Sequence, residues 1–343
     1  MSTENTFQKS VPRIRLSNIS DDDHNSEIVK SLYRACSTVG FFYLEVDPSD
    51  ISPDFVSKVF EQSRAFFNLP EHMKRKVSDP VLNRGYTAMF EETLDPKHQS
   101  IGDTKEGYYI ADDFSVDSEM YNPSKLRGPN VWPRNSNNDE ELNSFDCILW
   151  KDVMEEYHKK MKSIAFKLVR LLALAIGLPS KHYFDDMFSN PMAFLRLLHY
   201  SNQKSDPNNG VFACGAHSDY GMVTLLATDE QPGLQILVEK NDGEETEWLD
   251  LPPPPIGTFC VNLGDMLERW TNGKFKSTVH RVLSSGESER YSIPFFYEPD
   301  FDAVVECLDV CLSEGENPKY PKTTAGAHLI DKYNNTHNDF QSS

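Results

Sequence analysis

Three side chains in the second half of the chain are of the kinds that bind catalytic transition metals. His217 and Asp219 are two residues apart in a β-type stretch, so the alternation of side chains along a strand would place both on one face. His280 lies in a second strand-like run, residues 277–282, and would supply a third ligand. Two histidines and one carboxylate hold Fe(II) on one side and leave three neighbouring positions for a co-substrate and O2. On these residues alone, a buried structural histidine or a solvated turn explains the pattern equally well.

A second copy of the same spacing, His337-Asn338-Asp339, is predicted to be accidental. It lies near the C-terminus, where fraying is expected, and no histidine follows it to complete a ligand set. The candidates for metal binding are therefore His217, Asp219 and His280.

A carboxylate-binding pair follows His280. Arg290 and Ser292 flank Tyr291, so a strand would place the guanidinium and the hydroxyl on one face. The planar fork of an arginine binds a carboxylate through two hydrogen bonds, and a serine adds a further donor. Turn signals at 262–265 and 272–273 favour a site assembled from strand ends.

The elements that must position these side chains fall into two groups. Apolar residues at helical spacing predict helices over 26–39 and 53–67 and a charged turn after Pro70, with a strand at 41–44, so the N-terminal third is expected to be mostly helical. A long loop is predicted at 121–140, and a long helix at 143–176 that ends at Gly177. Short β-type runs are then predicted at 193–200, 222–227, 234–238, 258–262, 280–283 and 291–297. The pattern predicts an α+β protein in which a helical layer precedes a β-barrel core.

Length and charge narrow the classes of function. With 343 residues, 38% of them hydrophobic, the chain can bury a sizeable core. Its formal net charge of −19 repels nucleic-acid phosphates and anionic membranes. The six cysteines form no CxxC pair, and Cys36, Cys214 and Cys260 are expected to be inert core thiols. Because neither a signal-peptide pattern nor an uninterrupted apolar span is found, a cytosolic protein is expected.

Motifs of one known family occur in order along residues 11–340. In the first half of the chain these are ACSTVGFFY at 35–43, RGY at 84–86, KEGY at 105–108 and GPNVWP at 128–133. In the second half they are GAHSDYGMVTLL at 215–226, PGLQ at 232–235, VNLGD at 261–265, NGKFKSTVHRV at 272–282 and RYSIPFF at 290–296. The chain thereby resembles the 2-oxoglutarate/Fe(II)-dependent dioxygenase superfamily, in particular its isopenicillin N synthase-like branch.

The resemblance implies a fold and a division of the chain. The fold would be α+β, with a double-stranded β-helix (jelly-roll) core, an N-terminal helical layer and a C-terminal helical extension. The expected parts are an N-terminal non-haem dioxygenase region at 11–135, a long supporting helix at 143–180, the Fe(II)/2-oxoglutarate jelly-roll core at 191–300 and a C-terminal extension at 301–343.

Carried over residue by residue, the resemblance also implies roles. It makes His217, Asp219 and His280 the catalytic iron ligands. It makes Arg290 and Ser292 the anchor for the distal carboxylate of 2-oxoglutarate. Tyr200 matches a tyrosine that also contacts the co-substrate, the alternative being an aromatic packed in the barrel. Phe296 and Glu298 match positions that face substrate, the alternatives being a core phenylalanine and a solvated strand end.

The implied reaction requires Fe(II), 2-oxoglutarate and O2, with ascorbate as a stimulant. It oxidises a C–H bond of a small-molecule substrate, most often by hydroxylation, and releases succinate and CO2. A monomer without nucleic-acid or membrane partners is expected. Two alternatives remain: an iron oxidase of the same fold that does not use 2-oxoglutarate, and a catalytically silent binding protein. Substrate-dependent formation of succinate distinguishes them.

Overall fold

The computed structural model describes residues 11–16, 23–134, 145–239 and 245–336. The helices are α1 Glu27–Thr38, α2 Pro53–Phe67, α3 Glu71–Lys74, α4 Cys147–Ile176, α5 Asp265–Trp270 and α6 Ala325–Thr336. The strands are β1 Arg13–Arg15, β2 Phe41–Glu45, β3 Ser78–Asp79, β4 Arg84–Thr87, β5 Lys105–Ile110, β6 Met192–Tyr200, β7 Cys214–His217, β8 Val223–Thr228, β9 Leu234–Glu239, β10 Thr246–Asp250, β11 Thr258–Leu263, β12 His280–Val282, β13 Arg290–Glu298, β14 Val304–Val305 and β15 Thr323–Thr324.

Two sheets form the jelly roll. The larger has nine strands in the order β1-β2-β11-β8-β13-β6-β5-β4-β3, and the smaller has four in the order β10-β9-β12-β7. Apart from the parallel pair β1–β2, the paired strands described in both sheets are antiparallel. The predicted α+β jelly-roll core with added helices is confirmed.

The larger sheet is buried on both faces. In β2, Phe42 and Leu44 belong to the core shared with the helices, whereas Phe41 and Tyr43 belong to a second core shared with strands of the smaller sheet. This alternation follows from the two-residue period of a strand. Because both faces of β2 are covered, its sequence is an almost continuous apolar run rather than an alternation of apolar and polar residues.

The long helix α4 supports the larger sheet from the helical side. Its Trp150 is fully buried, with ring centroids 5.2 Å from Phe66 and 5.0 Å from Tyr108. The helix begins at Cys147 rather than at residue 143 because Asp146 caps it by accepting a hydrogen bond from the Leu149 N–H. It ends, as predicted, at Gly177, whose φ of +93° suits a residue without Cβ.

The N-terminal third is less helical than predicted, because β3, β4 and β5 extend the larger sheet beyond β6. In β5 the polar pair Lys105-Glu106 is buried, although the local sequence would predict a solvated segment. Lys105 pairs with Glu92 and Asp103, and Glu106 pairs with Lys74. These partners lie outside the strand, so local periodicity does not reveal them.

The cysteines behave as predicted. All six are free, and Cys36, Cys214 and Cys260 are buried. Burial raises the pKa of the Cys260 thiol to about 12 and those of the other two still further, so these groups are neutral and unreactive near pH 7. Among the helices in the described ranges, none is both long enough and apolar enough to cross a membrane.

Candidate active site

The two histidines and the aspartate predicted to bind metal come together at the ends of β7 and β12. One ligand-type atom from each of His217, Asp219 and His280 lies within 4.8 Å of the others. The Nε2 atoms of both histidines lie 3.7 Å from the same oxygen, Oδ1 of Asp219. His217 and His280 are directly paired across the two antiparallel strands. The second spacing, at His337, lies outside the described residues.

One detail of the predicted cluster is wrong. Strand β7 ends at His217, and Asp219 lies in the connection to β8 rather than on the strand. The two side chains nevertheless converge, as their two-residue spacing predicted, although Asp219 is not part of the strand.

Hydrogen bonds orient each of the three side chains. His217 Nδ1 lies 2.9 Å from the Gly215 carbonyl oxygen, and His280 Nδ1 lies 3.1 Å from that of Thr278. A carbonyl oxygen accepts only from N–H, so this geometry assigns the proton to Nδ1 and leaves Nε2 with a lone pair. Burial lowers the pKa of His280 to about 4, which keeps that ring neutral at pH 7.

The carboxylate of Asp219 is held in a similar way. Its Oδ2 accepts hydrogen bonds from Asn262 at 2.6 Å and Thr224 at 2.5 Å, which leaves Oδ1 facing the histidines. Burial raises the pKa of Asp219, but the neighbouring histidines and these hydrogen bonds outweigh it, so the pKa lies below its usual range. Two imidazole lone pairs and a carboxylate oxygen that converge fit a cation, and a borderline-soft divalent transition metal suits this donor set.

The predicted carboxylate clamp is also assembled. Arg290 and Tyr200 are directly paired on β13 and β6, with Cζ of the arginine 4.9 Å from the tyrosine ring centroid. Ser292 Oγ lies 3.5 Å from the Tyr200 hydroxyl, and all three residues are buried. Arg290 Nε donates to the Gln231 carbonyl oxygen at 3.3 Å, whereas Nη1 is buried without a partner among the described residues. A buried guanidinium nitrogen in this state fits a carboxylate ligand.

The clamp and the metal-ligand candidates border the same core between the sheets. Tyr200 and Ile236 belong to that core, and Ile236 is paired with His280 across β9 and β12. Phe41, another member, has its ring centroid 5.6 Å from that of His280.

His217 and Asp219 also line a cavity. Phe296 and Glu298 both line it, together with residues that sequence reasoning did not select: Glu92, Leu94, Tyr109, Arg196, Tyr220, Leu329 and Tyr333. Glu298 is only 3% exposed, so a solvated strand end is the wrong description of it. One of its carboxyl oxygens accepts from the Met222 N–H at 2.8 Å, and burial raises its pKa to about 8.

Arg196 could have been found from the sequence. It is the only charged residue of β6, Met-Ala-Phe-Leu-Arg-Leu-Leu-His-Tyr, in which every position is buried. A charged residue inside an otherwise apolar strand must have a buried partner, and it is a functional candidate for that reason.

Comparisons with known proteins agree with this geometry. Residues 11–135 match the family model described as the N-terminal region of non-haem dioxygenases in morphine synthesis, and residues 192–299 match that of the 2OG-Fe(II) oxygenase superfamily. A 2-oxoglutarate-Fe(II) type oxidoreductase of Emericella nidulans is 32% identical over 89% of this chain and 83% of its own. A homoarginine-6-hydroxylase of Arabidopsis thaliana is 33% identical over 94% of this chain and 96% of its own.

A solved structure agrees as well. A full-length Neurospora crassa protein, crystallised in complex with alpha-KG and thymine, superimposes with a TM-score of 0.76 at 29% identity, covering 95% of this chain and 96% of that one. The jelly roll with its converging histidines and carboxylate defines a non-haem iron oxygenase. The chain belongs to the 2OG-Fe(II) oxygenase superfamily and is a 2-oxoglutarate-dependent oxidoreductase that uses Fe(II), 2-oxoglutarate and O2.

Proposed function

We propose that His217, Asp219 and His280 hold the Fe(II) of a dioxygenase that hydroxylates a small-molecule metabolite. The observation that carries this proposal is the convergence of the three ligand-type atoms within 4.8 Å, with the outer atom of each side chain already hydrogen-bonded. Such outer contacts fix ring orientation and carboxylate geometry in metal sites.

The co-substrate would be anchored by the clamp. Arg290 supplies a desolvated cation for the distal carboxylate of 2-oxoglutarate, and the hydroxyls of Ser292 and Tyr200 supply further donors to the same group. The unpartnered Nη1 of Arg290 supports this role, because a bound carboxylate oxygen would satisfy it.

When bound, the metal would bring O2 and 2-oxoglutarate together. O2 supplies the oxidising power, with one oxygen atom going to the hydroxylated C–H bond and the other to succinate, and 2-oxoglutarate supplies two electrons as it loses CO2. The protein positions the metal ligands and the substrate and excludes water from the co-substrate. Asn262 and Thr224 fix the carboxylate that holds the metal, and Phe296 and Glu298 would hold the substrate in the neighbouring cavity. The clamp side chains are almost fully buried, so the carboxylate that they bind would be shielded from water.

We also propose that the protein acts as a monomer in the cytosol, without nucleic-acid or membrane partners. The net charge of −19 and the six free cysteines support this assignment. Light scattering coupled to gel filtration tests the oligomeric state, and localisation of a tagged chain tests the compartment.

The test of function is an untargeted metabolite screen, scored by substrate-dependent succinate release in the presence of Fe(II), 2-oxoglutarate and ascorbate. We expect one metabolite class to raise succinate formation in proportion to a product that has gained one oxygen atom. Product formed without 2-oxoglutarate would instead indicate an oxidase. Absence of stimulation together with absence of 2-oxoglutarate binding would indicate a silent binding protein.

A further inference from the structure

The cavity beside the metal-ligand candidates contains a buried arginine to which the proposed reaction gives no task. Arg196 is 5% exposed, and its Cζ lies 4.3 Å from the ring centroid of Tyr109. Its Nη2 donates to Glu92 Oε2 at 2.9 Å. Its Nε is buried and has no hydrogen-bond partner among the described residues. A buried N–H without an acceptor is unfavourable, so an oxygen atom of a ligand would stabilise this group.

The neighbouring strand leaves room for the guanidinium. Gly107 lies on β5 next to Arg196, and a Cβ at Gly107 would come within 3.0 Å of Nε and 3.1 Å of Nη2. Any other residue at position 107 would press on both nitrogen atoms. The missing side chain at position 107 therefore leaves room for the guanidinium of Arg196.

The charges around Arg196 are already balanced. Arg196 and Lys105 carry two positive charges, and Glu92 and Asp103 carry two negative charges, with Lys105 paired to both carboxylates. An anionic ligand would therefore gain no net attraction from these four side chains. A cationic ligand would meet Arg196.

The other walls of the cavity are apolar or aromatic. They comprise Leu94, Leu329, Phe296 and the rings of Tyr220 and Tyr333. Flat apolar surfaces of this kind favour a ring or another compact apolar body.

We propose that Arg196 recognises the substrate, and that the substrate is a small uncharged molecule whose carbonyl oxygen accepts a hydrogen bond from this guanidinium. This inference rests on the proposed function, because the bond to be oxidised must face His217 and Asp219, which line the same cavity. A carbonyl oxygen suits the site because it accepts two hydrogen bonds without adding charge.

The first test is anaerobic calorimetric titration of the Fe(II)- and 2-oxoglutarate-loaded protein, in which binding occurs without turnover. The probes are single rings: thymine and 2-pyridone are uncharged carbonyl compounds, benzoate is an anion and benzylamine a cation. At least one uncharged probe should bind at least tenfold more tightly than either charged probe. Tighter binding of a charged probe, or binding of none of the four, would overturn the inference.

Two variants separate recognition from structure. Arg196→Lys keeps a cation beside Glu92 but lacks the second donor, so binding of the uncharged probe should weaken at least tenfold while 2-oxoglutarate binds as in the wild type. Arg170→Lys is the matched control, because Arg170 also lies over an aromatic ring and pairs with a carboxylate, that of Asp185, but outside the cavity. Equal weakening in both variants, or none in Arg196→Lys, would contradict the proposal.

Glu92→Gln provides a second measurement, the affinity for benzoate, which does not depend on whether Arg196→Lys folds. It removes one negative charge and leaves the cavity with an uncompensated guanidinium, so benzoate should bind at least tenfold more tightly than to the wild type. A residue with only a structural role would not produce this gain, and unchanged benzoate affinity would overturn the proposal.

Failure of the wild type to bind 2-oxoglutarate would contradict the proposed function, whereas normal 2-oxoglutarate binding with the wrong order of probes contradicts this inference alone.

Discussion

Asn262 donates a hydrogen bond of 2.6 Å from Nδ2 to Oδ2 of Asp219, and both residues are buried. Because this oxygen also accepts from Thr224, the carboxylate cannot rotate without losing both bonds. Oδ1 is thus the oxygen that remains 3.7 Å from each histidine. The side-chain amide of Asn262, on β11, therefore determines which oxygen of the Asp219 carboxylate is available to a metal.

Replacement of Asn262 by Leu should weaken Fe(II) binding about 10- to 100-fold, the usual loss when an outer partner of a metal ligand is removed. Anaerobic calorimetric titration with Fe(II) measures this. Asn209→Leu is the control, because Asn209 makes the same kind of bond, 2.6 Å to Asp206, at an exposed position. Wild-type Fe(II) affinity in Asn262→Leu would show that the bond does not orient the ligand.

Alanine in place of His217, Asp219 or His280 should abolish turnover and weaken Fe(II) binding while the fold persists. The two cores comprise dozens of buried residues on both faces of the larger sheet, so folding does not depend on the metal as it does in small metal-stabilised domains. Succinate formation and circular dichroism together measure this. His337→Ala should behave as wild type, and an inactive His337→Ala protein would point to the other His-x-Asp spacing.

Glu298 should make the metal-free protein less stable as the pH rises. Burial raises its folded-state pKa to about 8, whereas an unfolded glutamate titrates at about 4.3. The folded chain keeps a proton that the unfolded chain releases, so stability falls between these values by at most about 1.4 kcal/mol per pH unit. The Tm of Glu298→Gln minus that of the wild type should therefore increase from pH 5 to pH 8. A constant difference would show that the carboxyl is already ionised.

Helices and strands with a regular apolar period were predictable. Helix α2 has the predicted bounds, residues 53–67, because its buried residues recur at helical spacing and Ser52 caps it. Strand alternation correctly placed Arg290 and Ser292 on one face, where both meet Tyr200. These are properties of neighbouring residues, so the local sequence contains them.

The cavity beside the metal-ligand candidates was not predictable in the same way. Arg196 and Glu92 are 104 residues apart, and their pairing exists only once β5 and β6 are adjacent. A local pattern can single out Arg196 within its apolar strand, but it assigns its partner Glu92 to the surface. Asp219 lies beyond the end of β7, where the two-residue period of a strand no longer determines the direction of a side chain.

Arg290→Leu should raise the KM for 2-oxoglutarate at least tenfold while Fe(II) affinity stays nearly unchanged. Loss of one partner of a buried charge pair costs about 2–5 kcal/mol, and each factor of ten in affinity corresponds to about 1.4 kcal/mol. Arg290→Lys should be intermediate, because a point charge replaces a two-pronged donor.

Titration of 2-oxoglutarate against substrate-driven succinate release measures these effects. Arg64→Leu is the control, because Arg64 lies over the ring of Tyr291, 5.0 Å from its centroid, but is 43% exposed and outside the clamp. The Arg64 variant should keep the wild-type KM. An unaltered KM in Arg290→Leu would remove Arg290 from the co-substrate site. Turnover of the wild type without 2-oxoglutarate would indicate an oxidase that does not use this co-substrate, because a clamp for its distal carboxylate would then have no part in the reaction.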